Sequence, residues 1–271
     1  MEIQWPLVIF SLLAGCGGVG IASIGISEAL GIAKKSRVPV AIVGLVFLIV
    51  GGCASVLHLG QPANIMAAAA NIFSFSGISV ELIMLGINVV VALVYLLLVS
   101  RESAAAKPVS FVGILTGIVL AFVVGNGYIM ESQPNWNTIM LPLAYLGSGL
   151  GSGTALFAAV MAVRKEEQAD FKAFSPFAIG GAALQLVSFL AYGAVLGFAV
   201  DAAIFWLGAI VVGSLVALVG ALLMSKQNAW AYVAVIAALI GGLCIRAIMW
   251  LVGSGFLTFF DAGAAHTILG F

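Results

Sequence analysis

Long, uninterrupted apolar segments constrain the fold of this chain more than any other feature of its sequence. The hydrocarbon core of a bilayer is about 30 Å thick, so a helix needs roughly 20 apolar residues to cross it. Backbone groups in lipid must be paired internally, which favours helices, and the segments are too long for barrel strands. We therefore predict an all-α integral membrane protein with a bundle of eight transmembrane helices. The predicted spans cover about residues 6–31, 38–57, 77–99, 109–128, 139–162, 177–199, 202–224 and 230–252.

The composition agrees with a chain that lies mostly in lipid. Hydrophobic residues make up 63% of the sequence and charged residues only 7%, whereas a soluble domain carries roughly 25% charged residues. No connection between the spans is long enough for a soluble domain, so residues 1–271 are expected to form a single membrane domain. The first six residues lack the positive n-region of a cleaved signal peptide, and we expect the first span to be retained.

The distribution of charges orients the spans. Every Lys and Arg outside the spans belongs to a connection that follows an odd-numbered span, while the opposite side carries acidic residues such as Glu131 and Asp201. Connections rich in Lys and Arg face the cytoplasm. Both termini are therefore predicted on the extracytoplasmic side. The cations are Lys34, Lys35, Arg37, Arg101, Lys107, Arg164, Lys165, Lys172 and Lys226.

The sequence contains no recognisable binding motif for several common classes of ligand. The formal net charge is zero and no basic stripe is present, so binding of nucleic acid is not expected. The three cysteines lie far apart and have no metal-ligand spacing. The glycine-rich run at 147–153 follows no strand and indicates close helix packing rather than a phosphate loop. A bis-histidine haem is not expected, because the two histidines are His58 and the distant His266. We predict no metal, haem or flavin in this chain.

Ionisable side chains at membrane depth are functional candidates. The alternating directions of the spans place His58, at the end of span 2, and Glu81, early in span 3, near the outer face. Arg246, in span 8, lies beyond its midpoint on the same side. At 1.5 Å per residue, Glu81 and Arg246 both lie about 7–10 Å outside the midplane, where an acid and a base can pair. Tyr128 and Tyr145 map to the same outer half of the bundle.

The inner half of the predicted bundle contains fewer such candidates. Glu28 belongs to the cytoplasmic end of span 1, where the neighbouring Lys34 and Lys35 favour a local ion pair. Asn88, near the middle of span 3, and Gln185, in the inner half of span 6, are the obvious polar residues further inside. A pump or channel would usually show polar residues through the whole thickness of the membrane.

Three stretches of the sequence carry a resemblance to a known family. They are Trp5-Pro6-Leu7, the Leu-His-Leu-Gly-Gln-Pro stretch at 57–62, and Ser-x-x-Ser-x-Glu at 76–81. Together with eight spans and both termini outside, they resemble the membrane anchor subunit of the dimethyl sulfoxide reductase family. The resemblance implies a complex in the cytoplasmic membrane of a prokaryote, in which the anchor holds an iron–sulfur electron-transfer subunit and a molybdopterin catalytic subunit. Alone, the anchor would not be catalytic and would hold no haem.

The resemblance also implies a site. In that family the histidine of His-Leu-Gly and the glutamate of the third helix belong to a menaquinol site, which here corresponds to His58 and Glu81. An imidazole titrates near neutral pH and a carboxylate can accept a proton, so both suit quinol oxidation. Gln61, Tyr145 and Arg246 complete the predicted quinol-binding residues. Electrons would pass to the iron–sulfur subunit and reduce a sulfoxide or N-oxide in anaerobic respiration.

Three other classes of protein remain open from the sequence. A quinone-reactive anchor of the polysulfide or nitrite reductase type would share the mechanism and differ in its partner. A secondary transporter would favour two related halves and polar residues near the midplane, but the sequence shows no convincing repeat between its halves. An inert membrane tether would explain the topology without giving His58 and Glu81 a reason to share a leaflet.

Overall fold

The computed structural model of this chain describes residues 2–57, 72–74 and 76–253. These residues form eight helices that are each long and apolar enough to cross a membrane, and no strand occurs among them. For the described residues, the prediction of an all-helical chain with eight helices long and apolar enough to span a membrane is therefore confirmed. The helices are α1 Trp5–Leu30, α2 Lys34–Leu57, α3 Gly77–Ser100, α4 Ala106–Asn126, α5 Met140–Val163, α6 Gln168–Val195, α7 Ala203–Leu223 and α8 Trp230–Leu251, with a short 3-10 helix at Ile72–Ser74.

Helix α6 differs most from its predicted span, because it begins at Gln168 and contains Pro176 in its interior. Charged residues and this proline suggested a connection as far as residue 176. A proline removes one backbone hydrogen bond but does not end a helix whose buried face continues. Phe171 and Phe174, both before the proline, are fully buried. Asp170 lies in the first turn, where a negative charge is favourable.

The eight helices form two groups of four with the same packing order. In the first group, α1 contacts α2 and α4, and α3 contacts the same two helices. In the second group, α5 contacts α6 and α8, and α7 contacts the same two helices. The groups meet mainly where α5 packs against α1 and α4. Because the two halves show no convincing sequence repeat, this repeated arrangement of helices could not be read from the sequence.

The bundle has two ends, which we name after the predicted topology. The connections at the inner end are residues 31–33, 101–105, 164–167 and 224–229, and the connections at the outer end include 127–139 and 196–202. The Lys and Arg residues predicted to face the cytoplasm lie at or beside the inner end. The assignment of that end to the cytoplasm stays a prediction.

Glycines allow α1 to approach its neighbours closely. A Cβ atom on Gly17 would lie 2.9 Å from the carbonyl oxygen of Gly44 in α2. On Gly153 of α5, a Cβ would lie 2.5 Å from the Cβ of Val19 and 2.8 Å from the carbonyl oxygen of Cys16. Close packing through small residues stabilises helix association in lipid, where burial of apolar surface between helices gives little.

Replacing Gly153 with alanine is expected to destabilise the bundle by about 1–3 kcal/mol, because the added methyl group meets backbone atoms of α1 that cannot move aside. The measurement is the apparent Tm of the purified complex. Gly180→Ala is the matched control, since a Cβ on Gly180 meets no atom within 4 Å. Equal changes in Tm for the two variants would contradict the close contact between α1 and α5 at Gly153.

Helix α7 begins with a π-helix at Ala203–Val216 and continues as an α-helix over Ala217–Leu223. The hydroxyl of Ser214 donates a hydrogen bond to the carbonyl of Ala209 at 2.8 Å. Gln185 of α6 is fully buried, and its Nε2 donates to the carbonyl of Gly213 at 2.9 Å. This amide therefore joins α6 to α7 and lies in the second group of helices.

Candidate functional site

Glu81 lies in the second turn of α3, at the outer end. The helix starts at Gly77, and the Ser76 hydroxyl caps it by accepting a hydrogen bond from the Ser79 backbone N–H at 3.3 Å. Glu81 is partly buried, and its carboxylate occupies the space that a side chain on Gly127 would need. No hydrogen bond or ion pair joins this carboxylate to another described residue. The Glu81 carboxylate therefore remains a candidate site residue at the outer end of the bundle.

An aromatic cluster lies beside Glu81. It consists of Tyr128, Trp136, Tyr145 and Trp250. The centroid of the Tyr128 ring lies 5.7 Å from that of Tyr145, 6.1 Å from that of Trp136 and 6.0 Å from that of Trp250. The Trp136 and Trp250 rings meet edge to face at 5.1 Å. Such pairs favour fixed edge-to-face geometry, so the cluster forms a rigid wall at the outer end.

Tyr128 is the residue of this cluster that follows Gly127, beside which the Glu81 carboxylate lies. Burial raises the pKa of the Tyr128 hydroxyl well above its usual range, and the nearby Tyr145 and the charge of Glu81 add to the increase. The hydroxyl therefore stays protonated at neutral pH and can donate a hydrogen bond. Trp136 is held in place because its indole N–H donates to the carbonyl of Met249 at 2.7 Å.

Arg246 is fully buried in α8 and joins three helices. Its Nε donates to the Ser11 hydroxyl at 2.9 Å and its Nη2 donates to the Ser11 carbonyl at 3.1 Å. Its Nη1 donates to the Ser148 hydroxyl at 2.9 Å and to the Gly242 carbonyl at 2.8 Å. The guanidinium carbon also lies 4.3 Å from the centroid of the Tyr145 ring. Protein groups from α1, α5 and α8 thus occupy most of its N–H donors.

The expected ion pair between Glu81 and Arg246 does not form. Both residues lie in the outer half, but Glu81 belongs to α3, which packs against α2 and α4, while Arg246 faces α1 and α5. The ring of Tyr145, which contacts Arg246, lies 5.7 Å from the ring of Tyr128, which follows Gly127 beside Glu81. Glu81 and Arg246 have similar depths in the membrane, but contact between them also depends on where their helices lie around the bundle.

The predicted ion pair of Glu28 has a different partner. Glu28 pairs with Arg37, whose Nη1 lies 2.6 Å from its Oε2, rather than with Lys34 or Lys35. Arg37 is buried on the inner face of α2, whereas both lysines are exposed. Arg37 also donates from Nη2 to the Ser27 carbonyl at 3.0 Å. The pair therefore belongs to a network that closes the turn between α1 and α2.

Two of the predicted site residues, His58 and Gln61, lie outside the described residues. Of the other three, Tyr145 and Arg246 are in direct contact, and the Glu81 carboxylate lies beside Gly127, the residue before Tyr128. Tyr128 was not among the predicted site residues, although its position at the outer end of span 4 was a usable signal.

The sequence also did not reveal the partners of Arg246. Ser11 and Ser148 lie far from it along the chain, and serines are common in packed membrane helices. Within residues 2–57, 72–74 and 76–253, no group of three or more His, Cys, Asp or Glu residues is arranged to hold a metal ion.

The fold and the site define a multi-pass membrane protein with a carboxylate and an aromatic wall at one rim of its helical bundle. The family model of the DMSO reductase anchor subunit (DmsC) matches residues 1–200. The chain belongs to the DMSO reductase anchor subunit family, and no curated protein matches it. It is accordingly the membrane anchor of a DMSO reductase complex, which works with catalytic and electron-transfer subunits. The match includes Glu81, Tyr128 and Tyr145 but ends before α7 and α8.

Proposed function

We propose that this anchor binds menaquinol at the outer end of the bundle and oxidises it to menaquinone. Each turnover releases two protons and two electrons. The electrons pass to the iron–sulfur subunit, which delivers them to the molybdopterin subunit for reduction of a sulfoxide or N-oxide. His58 and Glu81 accept the protons from the two quinol hydroxyl groups and release them to water at the rim.

The main support for this proposal is the position of Glu81. A general base must lie within about 2.6–3.2 Å of the hydroxyl that it deprotonates. The Glu81 carboxylate is partly buried near the membrane surface, and no described residue holds it in a hydrogen bond or an ion pair. A quinol hydroxyl arriving from the lipid can therefore donate to it directly.

The surrounding residues define the rest of the proposed site. The Tyr128 hydroxyl, which stays protonated, can donate a hydrogen bond to a quinol oxygen beside Glu81. Tyr145 forms the inner wall of the site, with Arg246 supplying a fixed positive charge 4.3 Å from its ring. Because Arg246 is fully buried and already hydrogen-bonded, it would act on the quinol as a charge through Tyr145. Gln61 completes the proposed set of quinol-binding residues.

The same proposal fixes the arrangement of the complex in the membrane. The anchor lies in the cytoplasmic membrane of a prokaryote, with both termini on the extracytoplasmic side. The iron–sulfur and molybdopterin subunits dock on the outer end, because electrons leave the quinol there. The cations at the inner end support this orientation, since positive connections face the cytoplasm.

The test replaces His58 with alanine in the intact complex. We expect quinol-dependent reduction of dimethyl sulfoxide to fall by about 10²–10⁴-fold, the usual contribution of general acid–base catalysis. Activity with reduced benzyl viologen, which donates electrons to the soluble subunits, should stay unchanged. His266→Ala is the control, because it removes the other histidine. Full quinol-dependent activity in His58→Ala would remove this residue from the site.

A further inference from the structure

Helix α3, which carries Glu81, is the least buried of the eight helices. In the 18-residue apolar stretch of α3, only 28% of the residues are buried, compared with 78% in the corresponding stretches of α1 and α5. An apolar helix in lipid gains little from turning one apolar face rather than another toward its neighbours. The direction in which Glu81 points must therefore depend on specific contacts of α3.

Three residues with polar side-chain groups share one face of α3. Glu81, Asn88 and Tyr95 follow one another at intervals of seven residues, and each interval returns the helix to within about 20° of the same direction. Each interval also corresponds to a rise of about 10.5 Å. These three residues therefore form a line from the outer end to the inner end.

Asn88 attaches this face to α4 in the middle of the membrane. It is fully buried. Its Nδ2 donates to the Thr116 carbonyl at 3.0 Å and to the Met84 carbonyl at 2.8 Å. The Thr116 hydroxyl in turn donates to the Asn88 Oδ1 at 3.3 Å. The two residues thus form a pair of hydrogen bonds between α3 and α4, and turning α3 would break both.

Tyr95 attaches the same face to α1 at the inner end. Its hydroxyl donates to the Glu28 Oε1 at 3.4 Å, and Glu28 is itself fixed by its ion pair with Arg37. This bond is longer than those of Asn88. The face of α3 that contains Glu81 is therefore held at two points, of which the point at Asn88 is the stronger.

The line of polar residues on α3 is better explained by contacts that hold the helix in place than by transfer of protons along it. Proton transfer needs groups within about 2.6–3.2 Å or one bridging water, but the intervals along α3 rise by about 10.5 Å. Val91 and Ala92, which lie between Asn88 and Tyr95, are apolar and buried. The interval between those two polar groups is thus filled with apolar side chains.

We propose that Asn88 is a positioning residue that fixes the rotation of α3 about its axis and so directs Glu81 toward α4. The side chains of a helix end about 6 Å from its axis, so a rotation of about 30° would move the carboxylate by about 3 Å. That displacement would take the carboxylate away from Gly127 and out of hydrogen-bond reach of a bound quinol. The effect of Asn88 on quinol oxidation rests on the proposed function, whereas its effect on the position of Glu81 does not.

The test replaces Asn88 with leucine, a side chain of similar size that makes no hydrogen bond, in the membrane-bound complex. The access of lipid-borne reagent to Glu81 is measured as its modification by dicyclohexylcarbodiimide, a lipid-soluble reagent for protonated carboxyl groups, with peptide mass spectrometry. We expect this modification to rise several-fold. Quinol-dependent kcat/KM should fall roughly 10–100-fold, the expected cost of a misplaced catalytic group. Viologen-dependent activity should stay at the wild-type level.

Three further variants separate positioning from a general loss of packing. Thr116→Val should change Glu81 modification in the same direction by a smaller factor, because the Thr116 carbonyl still accepts from Asn88. The exchange variant Asn88→Thr with Thr116→Asn should return both measurements toward wild type. Gln185→Leu is the matched control, since it removes another buried amide that joins two helices outside α3. It should leave both measurements unchanged.

Two results would overturn the proposal. One is wild-type modification of Glu81 in Asn88→Leu, and the other is an equal increase in modification in Gln185→Leu. An increase in modification without any change in quinol kinetics would support the positioning role. That combination would instead contradict the proposed role of Glu81 in quinol oxidation.

Discussion

Replacing Glu81 with glutamine is expected to reduce quinol-dependent activity of the complex by about 10²–10⁴-fold. Glutamine keeps the shape of the side chain but cannot accept a proton at neutral pH. No described residue depends on the Glu81 carboxylate for a hydrogen bond or an ion pair, so the complex should assemble normally. The measurement is the rate of sulfoxide reduction with a quinol analogue in membranes.

The control for this prediction is Glu131→Gln, which removes an exposed carboxylate from the connection 127–139 at the same end of the bundle. Viologen-dependent activity should be unaffected in both variants, because viologen bypasses the anchor. Quinol-dependent activity of Glu81→Gln within twofold of wild type would show that another group receives the proton.

Replacing Arg246 with alanine is expected to reduce strongly the amount of anchor that accumulates in the membrane. The change empties the space of a large, fully buried side chain and removes its four hydrogen bonds to Ser11, Ser148 and Gly242. Emptying the site of a large buried side chain costs about 3–5 kcal/mol. The measurement is the amount of anchor in membranes by immunoblot.

Two variants test the reason for that loss. In Arg246→Met, the methionine side chain fills most of the space. The substitution also removes a positive charge that has no carboxylate partner among the described residues, and burying such a charge costs several kcal/mol. We therefore expect Arg246→Met to restore accumulation. Arg101→Ala, at an exposed position of the inner end, should accumulate like wild type. Wild-type accumulation of Arg246→Ala would contradict the role of Arg246 in filling the space between α1, α5 and α8.

The number and type of the helices were predictable because lipid imposes a length of about 20 apolar residues on each span. The start of α6 was not, because charged residues such as Lys172 and a proline such as Pro176 are typical of a connection, although here both lie inside the helix. The buried Phe171 and Phe174 decide between these alternatives, and their burial is a tertiary property.

The candidate site was predictable only in part. The depth of Glu81, Tyr145 and Arg246 follows from counting residues along each span. Their contacts depend on how the helices are arranged around the bundle, which the sequence does not specify. Arg246 binds Ser11 across 235 residues and Ser148 across 98 residues. Arg37, rather than Lys34, binds Glu28 because the rotation of α2 turns Arg37 inward.

The most direct test of the account is a cryo-EM structure of the intact complex with a bound quinol analogue. We predict that the head group lies at the outer end, with one of its oxygen atoms about 2.6–3.2 Å from the Glu81 carboxylate and close to the Tyr128 hydroxyl. A head group bound at the inner end near Glu28 and Arg37, or beyond hydrogen-bond distance of Glu81, would contradict the account.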